Sequence, residues 1–203
     1  MKNQTEPIVF VIDDDPSMRD ALGTLIASDG LRVVCFASAQ EFLLHPVAMQ
    51  PSCLVLDVRM PGVGGLELQH ELVELGRQIP VVFITAHADI PTAVRAMKAG
   101  ALEFLPKPFR SDELLAAIRQ ALERDRLALE QRTRMALIRE RRDRLTDRER
   151  QVMVRIAGGR LNKQIAAELG VSENTIKAHR RHIMKKMGAT TFAELILMIE
   201  RLA

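Results

Sequence analysis

Four short apolar runs in the first half of the chain, residues 8–12, 53–56, 81–84 and 102–105, each break off at a polar group: Asp13 with Asp14, Asp57, Thr85 and Lys107. Runs of that length suit strands buried in a parallel sheet. Helical signals fill the gaps between them. Asp15 and Pro16 read as N-cap and first-turn proline of a helix over 17–29 that Gly30 ends, and Ser38 with Glu41 is a capping-box pattern for a second, short helix. A turn over 61–65 leads into a helix over 66–75 closed by Gly76, and Asp89 caps a fourth helix that carries Val94 and Met97 and stops at Gly100. Five such βα units with short connections predict an α/β domain with helices on both faces, most simply the flavodoxin-like (βα)5 arrangement with parallel strand order 2-1-3-4-5. In that arrangement the strand carboxyl ends open on one crevice, so the three carboxylates, the hydroxyl and the ammonium converge. Carboxylates so crowded repel one another unless a hard cation sits among them, and Mg²⁺ with its preference for oxygen suits the place.

Beyond Ser111 neither proline nor glycine interrupts the chain until Gly158. Leu114, Leu115, Ile118 and Leu122 form a packed stripe at helical spacing, but after Asp125 the stripe thins and arginine dominates. Residues 124–144 read as a long linker helix, either a solvated charged helix or one with a weak coiled-coil contact through Leu122, Leu129 and Ala136. A second, all-α unit starts at Leu145. Thr146 with Glu149 and Thr191 with Glu194 are T-x-x-E capping boxes that fix two helix starts. Between them, residues 163–169, the corner Gly170-Val171-Ser172 and residues 173–187, stopped by Gly188, read as helix, turn, helix within a four-helix unit. The expected division is 1–123, 124–144 and 145–203.

At 203 residues the chain is right for two small domains, and an apolar share of 47% is ample for two cores. Aromatic residues make up 3%, with no Trp or Tyr, which excludes a stacking platform for single-stranded nucleic acid. Cys35 and Cys53 fall in strand regions and read as small buried hydrophobes, without metal-type spacing. The polar segment 1–7 runs straight into the first strand, so no signal peptide is expected, and no apolar stretch is long enough to span a bilayer. A soluble cytoplasmic protein with no membrane partner follows as the expectation. Charge is divided unevenly: residues 1–124 hold 11 basic and 16 acidic groups, whereas residues 125–203 hold 18 basic and 10 acidic. One half is suited to hold a cation and the other to meet a polyanion.

The segments Val11-Ile12-Asp13-Asp14-Asp15, Leu56-Asp57-Val58-Arg59-Met60-Pro61-Gly62, Phe83-Ile84-Thr85-Ala86 and Lys107-Pro108-Phe109 resemble, in order and separation, the receiver domain of bacterial response regulators. The resemblance covers about the first 120 residues and implies that Asp57 is the nucleophile that accepts a phosphoryl group as an acyl phosphate. It further implies that Asp14 binds Mg²⁺ (or Mn²⁺) directly, that Asp13 acts mainly through water, and that the main-chain carbonyl of Arg59 completes the protein ligands beside Asp57. Lys107, before a cis proline, would pair with one phosphoryl oxygen and Thr85 with another, while small Ala86 leaves the approach open. Drawing Thr85 inward vacates space into which Phe104, at the position of the family's switching aromatic, rotates. The face of the fourth helix and fifth strand, including Val94, Ala96, Met97, Lys98 and Ala101, is then expected to change shape and to form a homodimer on phosphorylation. Val94 and Met97 also read as ordinary core positions. Arg59 and His87 should border the leaving path and influence the lifetime of the phosphoryl group.

Leu145-Thr146-Asp147-Arg148-Glu149, Asn162-Lys163-Gln164-Ile165-Ala166, Leu169-Gly170-Val171-Ser172 and Thr175-Ile176-Lys177-Ala178-His179 resemble the LuxR-type DNA-binding domain. Joined to a receiver, the whole is similar to the FixJ/NarL class of regulators. On a helical wheel Ile176, His179, Ile183 and Met187 share a face expected to pack on Ile165 and Leu169. Lys177, Ala178, Arg181 and Lys185 take the opposite face, toward the major groove. Lys177 and Arg181 are the candidates for base edges and Ala178 for a thymine methyl, with Lys163, Thr175, Arg180 and Lys186 as phosphate contacts.

The resulting expectation is a phosphorylation-controlled transcription regulator, with a sensor histidine kinase, a double-stranded DNA operator and RNA polymerase as partners. A phosphatase like the haloacid dehalogenases needs a second acid two positions after the nucleophile, where this chain has Arg59, so a turnover enzyme is not expected. A DNA-binding regulator whose receiver is a phosphorylation-independent protein-interaction domain is the alternative.

Overall fold

The computed structural model describes residues 6–46, 49–87 and 89–202. Most of the polar leader on which the signal-peptide expectation rests, residues 1–5, lies outside them. The chain forms two compact units, Met1–Leu129 and Glu130–Ala203.

In the first unit the strands are β1 (Ile8–Ile12), β2 (Arg32–Phe36), β3 (Ser52–Asp57), β4 (Val81–Thr85) and β5 (Glu103–Pro106). They pair in parallel in the order β2-β1-β3-β4-β5. Alternate residues face opposite sides of a strand, and each side here has its own core. Phe10, Ile12, Leu54, Leu56 and Phe83 face one layer, which α2 (Ala39–Leu43), α3 (Gly65–Glu74) and α4 (Ile90–Lys98) help to cover. Val9, Val11, Cys53, Val55, Val82 and Ile84 face the other, against α1 (Pro16–Ser28) and the start of α5 (Ser111–Asp143).

The helix starts follow the expected caps. Asp15, Ser38 and Asp89 accept from the backbone N–H groups of Ser17, Glu41 and Thr92. Gly65 begins α3 because a Cβ at that position would run into the carbonyl oxygen of Asp57. Cys53 is buried as expected, but Cys35 is exposed: β2 is an edge strand, and only Phe36 in it is fully buried.

Helix α5 serves both units in turn. Leu114, Ala117, Ile118, Ala121 and Leu122 pack on the sheet. Asp125, where the apolar stripe thins, is itself buried, and its Oδ2 accepts from Ser52 N at 2.8 Å and Ser52 Oγ at 3.2 Å. Further on, Ile138 is buried in the core of the second unit with Leu145, Val152, Ile156, Ile165, Ile176, Ile183 and Met187. That unit comprises α6 (Asp147–Ala157), α7 (Asn162–Leu169), α8 (Glu173–Met187) and α9 (Phe192–Glu200). The Thr146–Glu149 capping box is complete. At Thr191 only half of the expected box forms, because Glu194 Oε2 accepts from Thr190 N and Thr190 Oγ1. Gly170 and Gly188 end α7 and α8 in the left-handed conformation, which glycine adopts without a Cβ penalty. Among the described residues no helix is long and apolar enough to cross a membrane.

Candidate functional site

The carboxyl ends of β1, β3 and β5 bring four charged side chains together. Asp13, Asp14 and Asp57 each offer a carboxylate oxygen, and these oxygens lie within 4.8 Å of one another. Asp13 is fully buried, Asp57 nearly so, and Asp14 is exposed at the mouth. Lys107 Nζ donates to Asp13 Oδ2 at 2.7 Å and to Asp57 Oδ2 at 2.9 Å, and the Lys107–Pro108 bond is cis. The remaining oxygens are partly held: Asp13 Oδ1 accepts from Asp15 N at 2.9 Å and Asp57 Oδ1 from Arg59 N at 3.3 Å. Three hard oxygen donors, one open to solvent, make an acidic cluster typical of a Mg²⁺ site.

Burial pushes the Asp57 carboxyl above its ordinary range, against the pull of Lys107 and the Arg59 N–H. For Lys107 burial opposes the charge, but the Asp13 and Asp57 carboxylates outweigh it and hold the ammonium firmly protonated. The two make a half-enclosed carboxylate held beside a fixed cation.

Thr85, at the end of β4, is buried, yet its hydroxyl points to its own loop: Oγ1 accepts from His87 N at 3.2 Å and donates to His87 O at 3.4 Å. The hydroxyl thus makes no bond to Asp57 or Lys107 in this structure. Phe104 on β5 is partly buried, with its ring centroid 6.2 Å from that of Phe83. Arg59, Ala86 and His87 are exposed in the loops after β3 and β4.

The composition of α4 gives a different result from the core reading of its apolar residues. Ala96 is buried, but Ile90 is 80% exposed, Val94 44% and Met97 46%. Spaced at i, i+4 and i+7, the three form a stripe on one face. Ala96 and Ala101 supply the packing beneath, which leaves the larger side chains outside.

In the second unit α8 follows the tight corner after α7. Lys177, Ala178, Arg181 and Lys185 are exposed, as is Lys163 on α7, and among the described residues none of these four cations has an ion-pair partner. Thr175 is partly buried and shares a hydroxyl–hydroxyl bond of 2.9 Å with the N-cap Ser172. Arg180 and Lys186 are held within the protein. The Arg180 guanidinium lies 4.5 Å from the Phe192 ring centroid and donates to Asn162 Oδ1 at 2.9 Å. Lys186 Nζ donates to buried Glu149 Oε2 at 2.6 Å. His179, expected in the core, is only partly buried, because it sits about 60° round the helix from Ile176 while Ile183 and Met187 flank the buried meridian. The clamps on Arg180 and Lys186 were not legible in the sequence, although Phe192 after a capping box and Glu149 within one were visible separately.

A parallel sheet with this acidic pocket, joined to a helix-turn-helix unit, defines a two-component response regulator with a DNA-binding output domain. Residues 9–119 match the family described as the response regulator receiver domain, and residues 143–199 match the LuxR family of bacterial regulatory proteins. The chain belongs to this family of response regulators, which are transcription factors and not turnover enzymes. It is 52% identical to nodulation protein W of Bradyrhizobium diazoefficiens over 98% of this chain and 87% of that one. It is 40% identical to the transcriptional regulatory protein FixJ of the same organism, over 97% and 96%. The solved structure of the response regulator StyR matches with a TM-score of 0.89 at 47% identity, covering 97% of this chain and all of that one. The receiver implies a histidine kinase as partner, and the helix-turn-helix implies DNA.

Proposed function

We propose that a sensor histidine kinase transfers a phosphoryl group to Asp57 and that the phosphorylated protein pairs and binds a DNA operator with sequence specificity. The observation that carries this reading is Lys107 Nζ within hydrogen-bond distance of both Asp13 and Asp57, beside the cluster of three carboxylates. Asp13, Asp14, Asp57 and the Arg59 carbonyl would hold Mg²⁺ or Mn²⁺, which when bound neutralises charge on the phosphoryl oxygens. Asp57 attacks phosphorus in line, the bond from phosphorus to the donor breaks, and Lys107 keeps one oxygen paired. Thr85 exchanges its bonds to the His87 backbone for a phosphoryl oxygen, and Phe104 turns toward the space it leaves.

The exposed stripe of Ile90, Val94 and Met97 favours α4 as the pairing face. Lys177 and Arg181 read base edges, Ala178 touches a thymine methyl, Lys185 faces the major groove beside them, and Lys163 and Thr175 contact the sugar–phosphate backbone. Arg180 and Lys186 reach phosphate only by releasing Asn162 and Glu149. Arg59 and His87 govern entry of water to the acyl phosphate, and their alanine variants should change its hydrolysis rate. The protein acts in the cytoplasm with RNA polymerase. Asp57→Asn tests the whole: with a phosphodonor and Mg²⁺ present, it should neither acquire a phosphoryl group nor gain affinity for operator DNA. Retention of the phosphorylation-dependent gain in that variant refutes the assignment.

A further inference from the structure

An exposed side chain on the outward face of α8 contributes nothing to the fold. Asn174 stands in the first turn, between Glu173 and Thr175. The needs of that turn are met by its neighbours. Ser172 Oγ is the cap, accepting from Thr175 N at 3.1 Å and sharing a further bond of 2.9 Å with Thr175 Oγ1. Glu173 supplies the negative charge that suits a helix N-terminus. The Asn174 amide has no hydrogen-bond partner among the described residues. Asparagine is also a poorer helix former than alanine, so this side chain weakens the start of α8 without supporting it elsewhere.

Helical rotation sets its direction. At about 100° per residue, Asn174 lies about 20° from Arg181 and from Lys185, about 40° from Ala178 and about 60° from Lys177, and about 180° from buried Ile183. It therefore occupies the middle of the exposed face at the N-terminal end, and in helix-turn-helix docking that end of the recognition helix meets base edges. The other residues of the face leave a chemical gap. Lys177, Arg181 and Lys185 carry donors only, and the Ala178 side chain carries neither donor nor acceptor. Donors alone suit the two acceptors on the guanine edge, whereas adenine presents an acceptor, N7, beside a donor, the N6 amino group. Asn174 Nδ2 and Oδ1 match that pair.

We infer that Asn174 is a specificity-determining residue that selects adenine at one position of each half-site, its Nδ2 donating to N7 and its Oδ1 accepting from the N6 amino group. This rests on the DNA-binding reading above and adds to it a base that the cationic side chains of α8 cannot pick out. The rise of the helix from Asn174 to Arg181 is about 10 Å, so the adenine falls within about three base pairs of the base that Arg181 reads.

The test is selection of tight-binding sequences from a randomised duplex pool by the full-length protein, with and without a phosphodonor, for wild type and Asn174→Ala. The wild-type half-site should contain an adenine whose replacement by guanine weakens binding about 10-fold. Placing 7-deazaadenine there, which lacks the N7 acceptor, should weaken wild-type binding as well. Asn174→Ala, an exposed change to a better helix former, should lose both effects and keep the preferences at the other positions. A merely structural role would not give that split, because a damaged helix weakens every position alike. A wild-type half-site with no required adenine, an adenine preference that survives in Asn174→Ala, or a uniform loss at all positions overturns the assignment. If wild type enriches no sequence in either state, the DNA-binding reading falls and takes the assignment with it, so the two failures are told apart.

Discussion

Glu149 shows how much a single buried side chain is asked to do. It closes the capping box by accepting from Thr146 N at 2.8 Å and carries the ion pair to Lys186. Burial would raise its carboxyl, but Lys186 and the two Thr146 donors outweigh that and hold it below the ordinary glutamate range. A depressed acid contributes stability that is present above its unfolded value, about 4.3, and is lost as pH falls through its lower folded value. The hydrogen-exchange protection of α6 and α8 amides, taken relative to the intrinsic rate at each pH, should therefore fall on acidification below about pH 4.3, and Glu149→Gln should flatten that acid limb. Glu149→Ala, which removes the partner of partly exposed Lys186 and weakens the cap, should cost about 1–2 kcal/mol at neutral pH, read from denaturant unfolding of α6 to α9. The residue scale is also where the sequence was least legible. Asp13, Asp57 and Lys107 could be found because each ends an apolar run, and the fold brings such positions together. Nothing local places Arg180 over Phe192 or turns the Thr85 hydroxyl to the His87 backbone, because those partners are set by tertiary packing or by one loop's conformation.

At the scale of elements, caps and glycines carried most of the information. Asp15, Ser38, Asp89 and Thr146 cap where their side chains and spacing placed them, since an oxygen one position before a helix answers a fixed geometric need. Periodicity was less complete: it marked Val94 and Met97 as apolar positions of α4 but could not separate a core face from an exposed one. Gly65 supplies a sharper requirement. Its Cβ-free backbone lets α3 start against the Asp57 carbonyl, so Gly65→Ala must shift either the helix or the strand end that carries Asp57, the proposed phosphoacceptor. The expected outcome is a loss of about 1–3 kcal/mol in thermal or denaturant unfolding, together with slower phosphorylation of Asp57. The α4 stripe makes a contrasting prediction. Val94→Asp with Met97→Asp changes exposed residues, so folding should be kept, whereas dimerisation with a phosphate mimic bound should disappear in light scattering.

For the whole molecule, the acidic pocket and the basic helix need no contact with each other to be coupled. A helix-turn-helix unit of this size covers little DNA alone, and pairing receivers raises the local concentration of the second unit beside its half-site. The gain in affinity should then belong to the site with two halves and not to the protein–DNA contact itself. Phosphorylation should leave binding to an isolated half-site unchanged while tightening binding to the two-fold site by roughly 10²–10⁴. Arg181→Ala should weaken both forms and relax base preference, whereas Lys163→Ala should weaken both and lower the salt dependence. Titrations of half-site and full-site duplexes, with and without phosphodonor, separate the possibilities. If phosphorylation tightens the half-site as much as the full site, the receiver acts by uncovering α8 within one chain. If only the full site responds, and Val94→Asp with Met97→Asp removes the response while Asp57 is still phosphorylated, the chemistry at Asp57 reaches DNA through pairing.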